Sequence, residues 1–379
     1  MTAFARSRDP LAPDRDRDRS KLLNIDWSLV LLVAGLVAIG TLGIYSATRS
    51  QTVGLGLAGK QLGYFVVGLA AMLGISMVDY EKLRSWIGPI GLITAVMLFA
   101  VLSPLGTEIK GTKGWFVVFG FSAQPAEFVK ISLIVLLAAL FSGRNGNTDP
   151  PRIAASLGVL GFISMMVLQQ GETGSVLVYC AIALGVYLVA GMPARYLLLL
   201  LISGVGVASV IFTSDVLADY QEARLTSFLD QDAPEAYNQV QSLNAIGTGG
   251  ITGQGLFEGP QTQFGFVPEQ ETDFIFTVIA EELGFVGASI VLGLQGLILI
   301  RIFRIAQLAR DRFGTLLCIG VFTMLLTHIV QNVGMTMRLM PITGIPLPFV
   351  SYGGSALITA LASLGIVQSV SVHRRRNLR

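Results

Sequence analysis

Residues 273–300 read DFIFTVIAEELGFVGASIVLGLQGLILI, an apolar run that opens with a carboxylate, Asp273. A helix needs roughly 20 mostly apolar residues to span a bilayer, so this run is long enough to cross a membrane. An ionisable side chain in such a helix carries a solvation cost and usually serves a function. The stretch therefore predicts a membrane helix with a functional acid at its opening.

The whole chain has the composition of a membrane protein. Its 379 residues are 53% hydrophobic and 13% charged, with a mean hydropathy of +0.68. Such a chain is too apolar for an ordinary soluble domain. Runs of spanning length predict an all-α, polytopic bundle of ten transmembrane helices. They cover about residues 28–47, 61–78, 86–103, 125–142, 153–170, 174–190, 194–213, 273–300, 314–337 and 350–372.

Lys and Arg are unevenly distributed between the connections. If the N-terminus is cytoplasmic, nineteen of the 26 lie in inside segments, six lie in outside segments, and Lys130 lies within a span. Short cytoplasmic connections usually carry this excess. Both termini are therefore predicted to be cytoplasmic. Asp273 then lies on the outer face of the membrane.

Three parts are predicted along the chain: a disordered cytoplasmic arm at 1–24, a transmembrane domain at 25–373 and a basic cytoplasmic tail at 374–379. The arm alternates Arg and Asp, and no short apolar core with a cleavage site follows it, so it does not resemble a signal peptide. Cys180 and Cys318 fall in different spans without metal-ligand neighbours. We expect both to be small core residues.

The connection between the seventh and eighth helices, about residues 214–272, is far longer than a usual loop. Such a length predicts function or internal substructure. Within it, residues 220–230 and 237–246 have the pattern of amphipathic interfacial helices. The glycine-rich residues 247–256 lack the Lys-Ser/Thr ending of a phosphate loop. We interpret them as a flexible turn packed closely against another backbone.

Charged residues also occur inside the predicted spans. Glu127 and Lys130 lie three residues apart and share one face of a helix. They form either an ion pair that only makes the helix insertable or part of a cavity wall. Glu281 and Glu282 are rotated from Asp273 by about 80° and 180° around their helix, so we expect packing or hydrogen-bonding roles. His328 is interpreted as a satisfied core histidine rather than a ligand.

Further polar residues lie at the ends of spans. Glu172 is interpreted as a helix-start carboxylate, with a substrate or metal role as the alternative. Residues 338–349 contain three prolines, which preclude a regular helix. Non-helical backbone at membrane depth must be buried in protein or line a wet cavity. Residues 351–355, Ser-Tyr-Gly-Gly-Ser, should let the last helix approach its neighbours closely.

This polar set indicates an anionic, amphiphilic substrate. Cations in the outer half suit phosphate oxygens, and an apolar groove between helices suits a lipid tail. Asp273 is placed to remove a proton from an attacking hydroxyl. A phospholipid-like or polyprenyl-pyrophosphate molecule fits these features, but the residues alone name neither the sugar nor the reaction.

Several long motifs, in the right order, resemble the SEDS family (shape, elongation, division and sporulation). The resemblance covers nearly the whole chain from about residue 25. Its most specific parts are QPAEFVK at 124–130, the glycine-rich run through Gly255, residues 268–276 with 281–284, and PITGIPLPFVSYGGS at 341–355. The overall likeness is greater to members that act in cell elongation than to those that act in division.

The resemblance implies a peptidoglycan glycosyltransferase that polymerises lipid II at the outer face of the membrane. Asp273 matches the family's essential acid and would deprotonate the acceptor 4-hydroxyl, which attacks the anomeric carbon of the growing chain as lipid pyrophosphate leaves. Lys113, Lys130, Arg224 and Arg338 are candidates for stabilising the leaving group. A divalent cation, Mg²⁺ or Mn²⁺, is compatible with this step, but its ligands are not assigned. The candidate substrate-binding residues are Lys113, Trp115, Glu127, Lys130, Glu172, Arg224, Arg338, Ser351 and Ser355.

The chain departs from the family pattern at two places. Residues 111–115 read GTKGW, without the Arg that many relatives have before the tryptophan, which leaves Lys113 as the nearby cation. Residues 172–175 read ETGS where relatives commonly have Asp-Leu-Gly-Thr, which keeps the charge on a longer side chain.

The resemblance also implies partners beyond lipid II and membrane lipid. These are a class B penicillin-binding transpeptidase and the elongation proteins MreC and MreD, with no role for nucleic acid. Two alternatives stay open. A lipid II flippase would need polar groups along a whole path across the membrane, and a non-catalytic scaffold for a transpeptidase would not need Asp273.

Overall fold

A computed structural model describes residues 25–49, 54–109, 111–118, 121–143, 149–200 and 236–374. The first elements are α1 (Trp27–Thr48), α2 (Gly54–Met77), α3 (Glu81–Ser85), α4 (Ile87–Leu102), β1 (Thr107–Ile109), β2 (Thr112–Val118), β3 (Phe121–Ala123) and α5 (Pro125–Phe141). Then follow α6 (Pro150–Leu168), α7 (Thr173–Val189), α8 (Tyr237–Gly249), α9 (Pro260–Gln263), α10 (Ile275–Gln307), α11 (Arg312–Thr336) and α12 (Gly354–His373). Residues 194–200 are also helical.

The described helices include six that are long and apolar enough to cross a membrane, namely α1, α2, α6, α10, α11 and α12. Nine of the predicted spans coincide with described helices. The tenth, 194–213, is helical at its start and continues outside the described residues. The chain is therefore a mainly helical, multi-pass membrane protein, and its ten crossings stay a prediction.

The prediction of an all-α chain is wrong in one place. Strands β1, β2 and β3 form a small antiparallel sheet between α4 and α5. Its register places Glu108 opposite Lys113 and Val117 opposite Ser122. The strands are rich in the aromatic and β-branched residues that favour sheets. Strands of three to seven residues are too short to show a clear alternating pattern, so the sequence did not reveal them.

Helix α12 lies at the centre of the bundle. Within its apolar window 83% of the residues are buried, against 22% for α6 on the periphery. Close approach depends on small residues, as in other membrane bundles. A Cβ at Gly365 would lie 2.8 Å from the carbonyl oxygen of Met72 on α2, and one at Gly354 would lie 2.7 Å from the Tyr64 ring. The predicted close approach of the last helix is confirmed.

The two ends of the described chain lie on one face of the bundle. Asp26 N donates to Gln368 Oε1 at 2.9 Å, and Gln368 Nε2 donates back to Asp26 O at 2.8 Å. The loop before α10 lies at the other end of α1, where Gln270 Nε2 donates to Ala47 O at 2.6 Å. This agrees with termini on one side and Asp273 on the other. Which side is cytoplasmic stays a prediction.

Helix α10 is broken at Gly284, which has φ 65° and ψ −165°. The glycine-rich loop pairs with the backbone on both sides of the break. Gln254 N donates to Glu281 O at 3.0 Å, and Phe285 N donates to Gly250 O at 2.9 Å. The predicted close packing of this loop against another backbone is confirmed, and the loop satisfies polar groups that the broken helix leaves free.

The two cysteines differ in their surroundings. Cys318 is buried on α11, as predicted, and both cysteines are free thiols. Cys180 is exposed, so the prediction that it is a core residue is wrong. It lies on the outward face of α7. Both faces of this helix are apolar, so its composition does not indicate which face is buried.

Candidate active site

Asp273 lies two residues before α10 and is partly exposed, which confirms the predicted acid at the opening of this helix. Its carbonyl oxygen accepts a 2.8 Å hydrogen bond from Asn332 Nδ2 on α11. The preceding turn is fixed as well, because Tyr352 N donates to Glu271 O at 2.9 Å. Contacts with α11 and with the turn before α12 therefore hold the backbone from which Asp273 projects.

Glu127 and Lys130 form a buried ion pair on α5. Lys130 Nζ lies 2.6 Å from Glu127 Oε1, and their side chains are 2% and 7% exposed respectively. His328 Nε2 on α11 lies 3.2 Å from the same ammonium. Removing one partner of such a pair would leave an uncompensated charge in the protein interior. The predicted pairing is confirmed, and the structure adds His328 as a third member.

The contacts of His328 define its tautomer. The Lys130 ammonium can only donate, so Nε2 accepts from it and Nδ1 carries the proton. His328 is buried and satisfied, as predicted. It is not isolated on an apolar helix, however, and it holds Lys130 opposite Glu127.

A cavity of about 20 Å³ adjoins this cluster. Glu127, His328, Ser351 and Thr359 provide its polar wall, and residues 346–349 contribute to the rest. Thr359 Oγ1 is buried and has no hydrogen-bond partner within the described ranges. The rest of the lining is mainly apolar, and a cavity of this size has room for about one water molecule. Glu127 thus lines a cavity in addition to pairing with Lys130.

Glu172 lies at the start of α7, as predicted for a helix-start carboxylate. It accepts hydrogen bonds from Gln124 Nε2 and, at 3.0 Å, from Ser175 Oγ. Burial raises the pKa of the Glu172 carboxyl, and the hydrogen bond from Gln124 opposes that rise in pKa. The negative charge of Glu127 also raises this pKa, so Glu172 belongs electrostatically to the buried cluster.

Lys113 and Trp115 lie on β2, and both side chains are partly exposed. Lys113 N donates to Gln170 O at 3.1 Å, which holds the strand against the turn before α7. The Lys113 side chain faces Glu108 across the sheet. The sheet therefore presents a cation and an aromatic ring next to the start of α7.

Arg338 occupies the turn that follows α11. Its backbone has φ 58°, a left-handed conformation that is uncommon for a residue with a side chain. Its guanidinium atom Nη2 is buried and has no hydrogen-bond partner in the described part of the chain. A buried cationic donor without a partner is suited to an anionic ligand.

Ser351 and Ser355 bind protein backbone. Ser351 Oγ accepts from Leu347 N at 2.8 Å, and Ser355 Oγ accepts from Gln124 N at 3.0 Å. Their hydroxyls therefore shape the start of α12. Arg224 lies outside the described residues, together with the predicted helix at 220–230. The predicted helix at 237–246 corresponds to α8.

Residues 341–349 are non-helical, as their prolines predicted. His328, Gln331 and Asn332 lie on one face of α11, at the i, i+3 and i+4 spacing. Gln331 Nε2 donates to Pro341 O at 3.1 Å and Asn332 Nδ2 donates to Ile345 O at 2.8 Å, and His328 lines the cavity beside residues 346–349. The segment is thus fixed against α11, and its polar backbone is satisfied inside the protein.

The two mid-helix acids of α10 anchor the outer loop. Glu281 accepts from Gln261 N at 2.7 Å and from Thr262 N at 2.9 Å, at the start of α9. Glu282 accepts from Ser46 Oγ on α1. Their predicted hydrogen-bonding roles are confirmed.

The structure brings Glu127, Lys130, Glu172 and His328 into one cluster and connects it to Asp273 through α11. Sequence reasoning missed Asn332 and Gln170. Asn332 lies one helical turn after His328, a spacing that could have revealed a polar face. The side-chain amide of Gln170 is buried without a partner among the described residues, and no sequence pattern indicated this. No group of three His, Cys, Asp or Glu residues suited to a metal occurs within the described ranges.

Comparison with known proteins identifies relatives over nearly the whole chain. The family model FTSW_RODA_SPOVE, described as cell cycle protein, matches residues 22–376. Stage V sporulation protein E of Bacillus subtilis (strain 168) is 33% identical over 369 residues, which cover 94% of this chain and 99% of that protein. Peptidoglycan glycosyltransferase MrdB of Escherichia coli (strain K12) is 31% identical over 366 residues, which cover 93% and 95%.

Two solved structures share the fold. A chain from a study of the structural coordination of polymerization and crosslinking by a peptidoglycan synthase complex gives a TM-score of 0.80 at 32% identity, covering 93% of this chain and 99% of that one. The rod shape determining protein RodA of Thermus thermophilus gives a TM-score of 0.69 at 31% identity, covering 94% and 98%.

Fold and site together define a multi-pass helical membrane protein with a buried charged cluster and a broken helix that opens on an acid. The chain belongs to the FtsW/RodA/SpoVE family, the SEDS family that its motifs resemble, and its structure is RodA-like.

Proposed function

We infer that this chain is a peptidoglycan glycosyltransferase that polymerises lipid II into glycan strands. This function rests on similarity to proteins named peptidoglycan glycosyltransferase. The similarity extends over more than nine-tenths of the chain. Asp273 supplies a reaction centre for this activity, because it places a carboxylate at the opening of a helix where several elements fix its backbone.

The proposed step is a displacement at the anomeric carbon of the growing chain. Asp273 accepts the proton of the acceptor 4-hydroxyl, and that oxygen forms the new bond to the anomeric carbon. The bond from the anomeric carbon to the pyrophosphate oxygen breaks, and lipid pyrophosphate leaves with the bonding electrons. The proton on Asp273 then passes to solvent.

Arg338 and Lys113 are the described cations that we assign to the pyrophosphate. Arg338 has a buried guanidinium nitrogen, Nη2, without a hydrogen-bond partner in the part of the chain that the structure describes. Lys130 is less suited to this task than the sequence suggested, because Glu127 and His328 already hold its ammonium. We assign Lys130 instead to keeping the buried cluster neutral. Arg224 stays a candidate for the same pyrophosphate.

A divalent cation remains compatible with the site. Mg²⁺ is commonly bound by one or two carboxylates together with substrate phosphates, rather than by a complete set of protein ligands. Asp273 with the substrate pyrophosphate would provide such a set. The ion would neutralise negative charge that develops on the leaving group.

We propose that Asp273 faces the outer side of the cytoplasmic membrane, in line with the excess of Lys and Arg on the opposite side. A class B penicillin-binding transpeptidase is the expected partner, since a structural relative comes from a complex that coordinates polymerization and crosslinking. MreC and MreD are expected as further partners in elongation.

The test is polymerisation of purified lipid II in detergent, where there is no second leaflet to flip into. Wild type, Asp273→Ala and Glu258→Ala are each assayed with and without a cognate class B transpeptidase, and glycan strands are resolved on gels. Glu258 is the matched control, because it is an exposed carboxylate in the same outer loop. We expect polymer from wild type and Glu258→Ala, and none from Asp273→Ala.

Two results would contradict this proposal. Full activity in Asp273→Ala would place the base elsewhere. An inactive wild type under every condition would favour the flippase, and transfer of lipid II between the leaflets of vesicles would then be measured.

A further inference from the structure

Asn332 connects two segments that the proposed reaction uses. Its side chain is fully buried, and its Nδ2 atom donates to Asp273 O and to Ile345 O, both at 2.8 Å. Both hydrogens of the amide are therefore used. Asp273 lies 59 residues before Asn332, and Ile345 lies 13 residues after it.

The hydrogen bond from Asn332 to the Asp273 carbonyl takes the place of a helical hydrogen bond that α10 does not provide. In a regular helix the carbonyl of Asp273 would accept from Thr277 N, but Thr277 N donates to Phe274 O at 3.0 Å. The Asp273 carbonyl lies just outside the helix and takes its hydrogen bond from Asn332. The direction of the Asp273 backbone thus depends on α11.

The bond to Ile345 reaches the wall of the buried cavity. Ile345 precedes Pro346, which lines that cavity together with His328. Asn332 therefore holds the carbonyl of Asp273 and the segment beside the charged cluster at a fixed separation.

We propose that Asn332 is a positioning residue for glycosyl transfer. Its amide keeps the Asp273 backbone in register with the 345–349 segment, so that the carboxylate meets the acceptor hydroxyl in a reactive arrangement. The proposal rests on the polymerase function inferred above and adds a residue whose own side chain does not touch the reacting atoms.

If Asn332 only stabilised the fold, its loss should affect activity no more than the loss of another buried amide that holds the 341–349 segment. Such an amide need not reach Asp273. Gln295 on α10 is 2% exposed, and its Nε2 donates to Pro348 O at 3.2 Å. This bond also joins a buried side-chain amide to a carbonyl of the 341–349 segment. Gln295 is therefore a matched control for the loss of such a bond.

The experiment compares Asn332→Leu and Gln295→Leu with wild type in lipid II polymerisation, and measures kcat, KM and Tm for each. Both variants remove an amide and should lower Tm. A displaced catalytic group commonly costs about 10- to 100-fold in rate, so we expect kcat of Asn332→Leu to fall by that factor with KM within about threefold of wild type. Gln295→Leu should keep kcat within about threefold of wild type.

The possible results separate the two ideas. Equal losses of kcat in both variants, in proportion to Tm, would assign Asn332 a structural role only, and an unchanged kcat in Asn332→Leu would also overturn the proposal. If Asn332→Leu does not fold, Asn332→Ser, which keeps one donor, replaces it in the same comparison. An inactive wild type would refute the polymerase function itself. An active wild type with an equally active Asn332→Leu variant would refute only the role of Asn332.

Discussion

Arg338 combines a strained backbone with a buried guanidinium nitrogen, Nη2, that has no hydrogen-bond partner in the described ranges. It follows the last turn of α11 in a Schellman arrangement, in which Arg338 N donates to Met335 O at 3.2 Å and Leu339 N donates to Gly334 O at 2.7 Å. Glycine usually occupies this left-handed position. A side chain there costs roughly 1–2 kcal/mol. Strain of this kind, at a residue whose buried Nη2 atom has no hydrogen-bond partner among the described residues, indicates a function for the side chain.

We expect Arg338→Gly to separate stability from activity. The glycine relieves the left-handed strain, so the free energy of unfolding should rise by about 1 kcal/mol. The loss of the cation should lower the polymerisation rate by at least about tenfold, because charge on the leaving pyrophosphate loses a preorganised partner. Thermal unfolding in detergent and the lipid II assay measure the two effects. Arg338→Lys is the control, since it keeps both the charge and the strained backbone. A rate for Arg338→Gly equal to wild type would exclude a role for this cation.

The path of helix α10 depends on its break at Gly284. Gly284 lies in a region of φ and ψ that only glycine readily adopts. A Cβ there would meet Gly253 N at 2.3 Å and Ile251 O at 2.5 Å, so the outer loop would have to move. That loop continues into α9, which Glu281 anchors, and then into the turn before Asp273. The break therefore positions the end of the helix that Asp273 opens.

Gly284→Ala should destabilise the protein by at least about 3 kcal/mol, because it combines backbone strain with a steric clash against backbone atoms. Gly293→Ala is the matched control on the same helix, where an added Cβ meets nothing within 4 Å. Its effect should stay within about 1 kcal/mol. Thermal unfolding of the two purified variants measures the difference. If both glycines tolerate alanine equally, the close packing of loop and helix does not stabilise this region.

At the scale of the whole molecule, the ends of the described chain, near Asp26 and Gln368, lie on one face and the loop before α10 lies on the other. The excess of Lys and Arg predicts that the first face is cytoplasmic. Phe264 in the outer loop is 76% exposed, and Leu308 between α10 and α11 is 59% exposed, so these positions report on opposite faces.

A membrane-impermeant maleimide should therefore label Phe264→Cys in intact spheroplasts and label Leu308→Cys only after permeabilisation. Both substitutions are made in a chain with Cys180→Ala and Cys318→Ala, which removes the native thiols. The cysteine-free chain is the control for background. The reverse labelling pattern would place Asp273 in the cytoplasm, where it could not polymerise glycan on the outer surface.

The sequence by itself determined the features that depend on local composition. Apolar runs predicted the membrane helices, and three prolines predicted the non-helical segment at 338–349. The spacing of Glu127 and Lys130 predicted their ion pair, and Asp273 was found at the opening of α10. Hydropathy, proline geometry and helical spacing act over a few residues, so one chain suffices to recognise them.

Only the tertiary structure decided which groups meet across the bundle. Asn332 and Asp273 are 59 residues apart, and His328 and Lys130 are 198 apart, so no local pattern connects them. The structure also showed that Lys130 is already held by two partners, whereas Arg338 Nη2 is buried and has no partner among the described residues. Hydrogen bonds and ion pairs depend on distance and direction in space, and the packing of helices sets both.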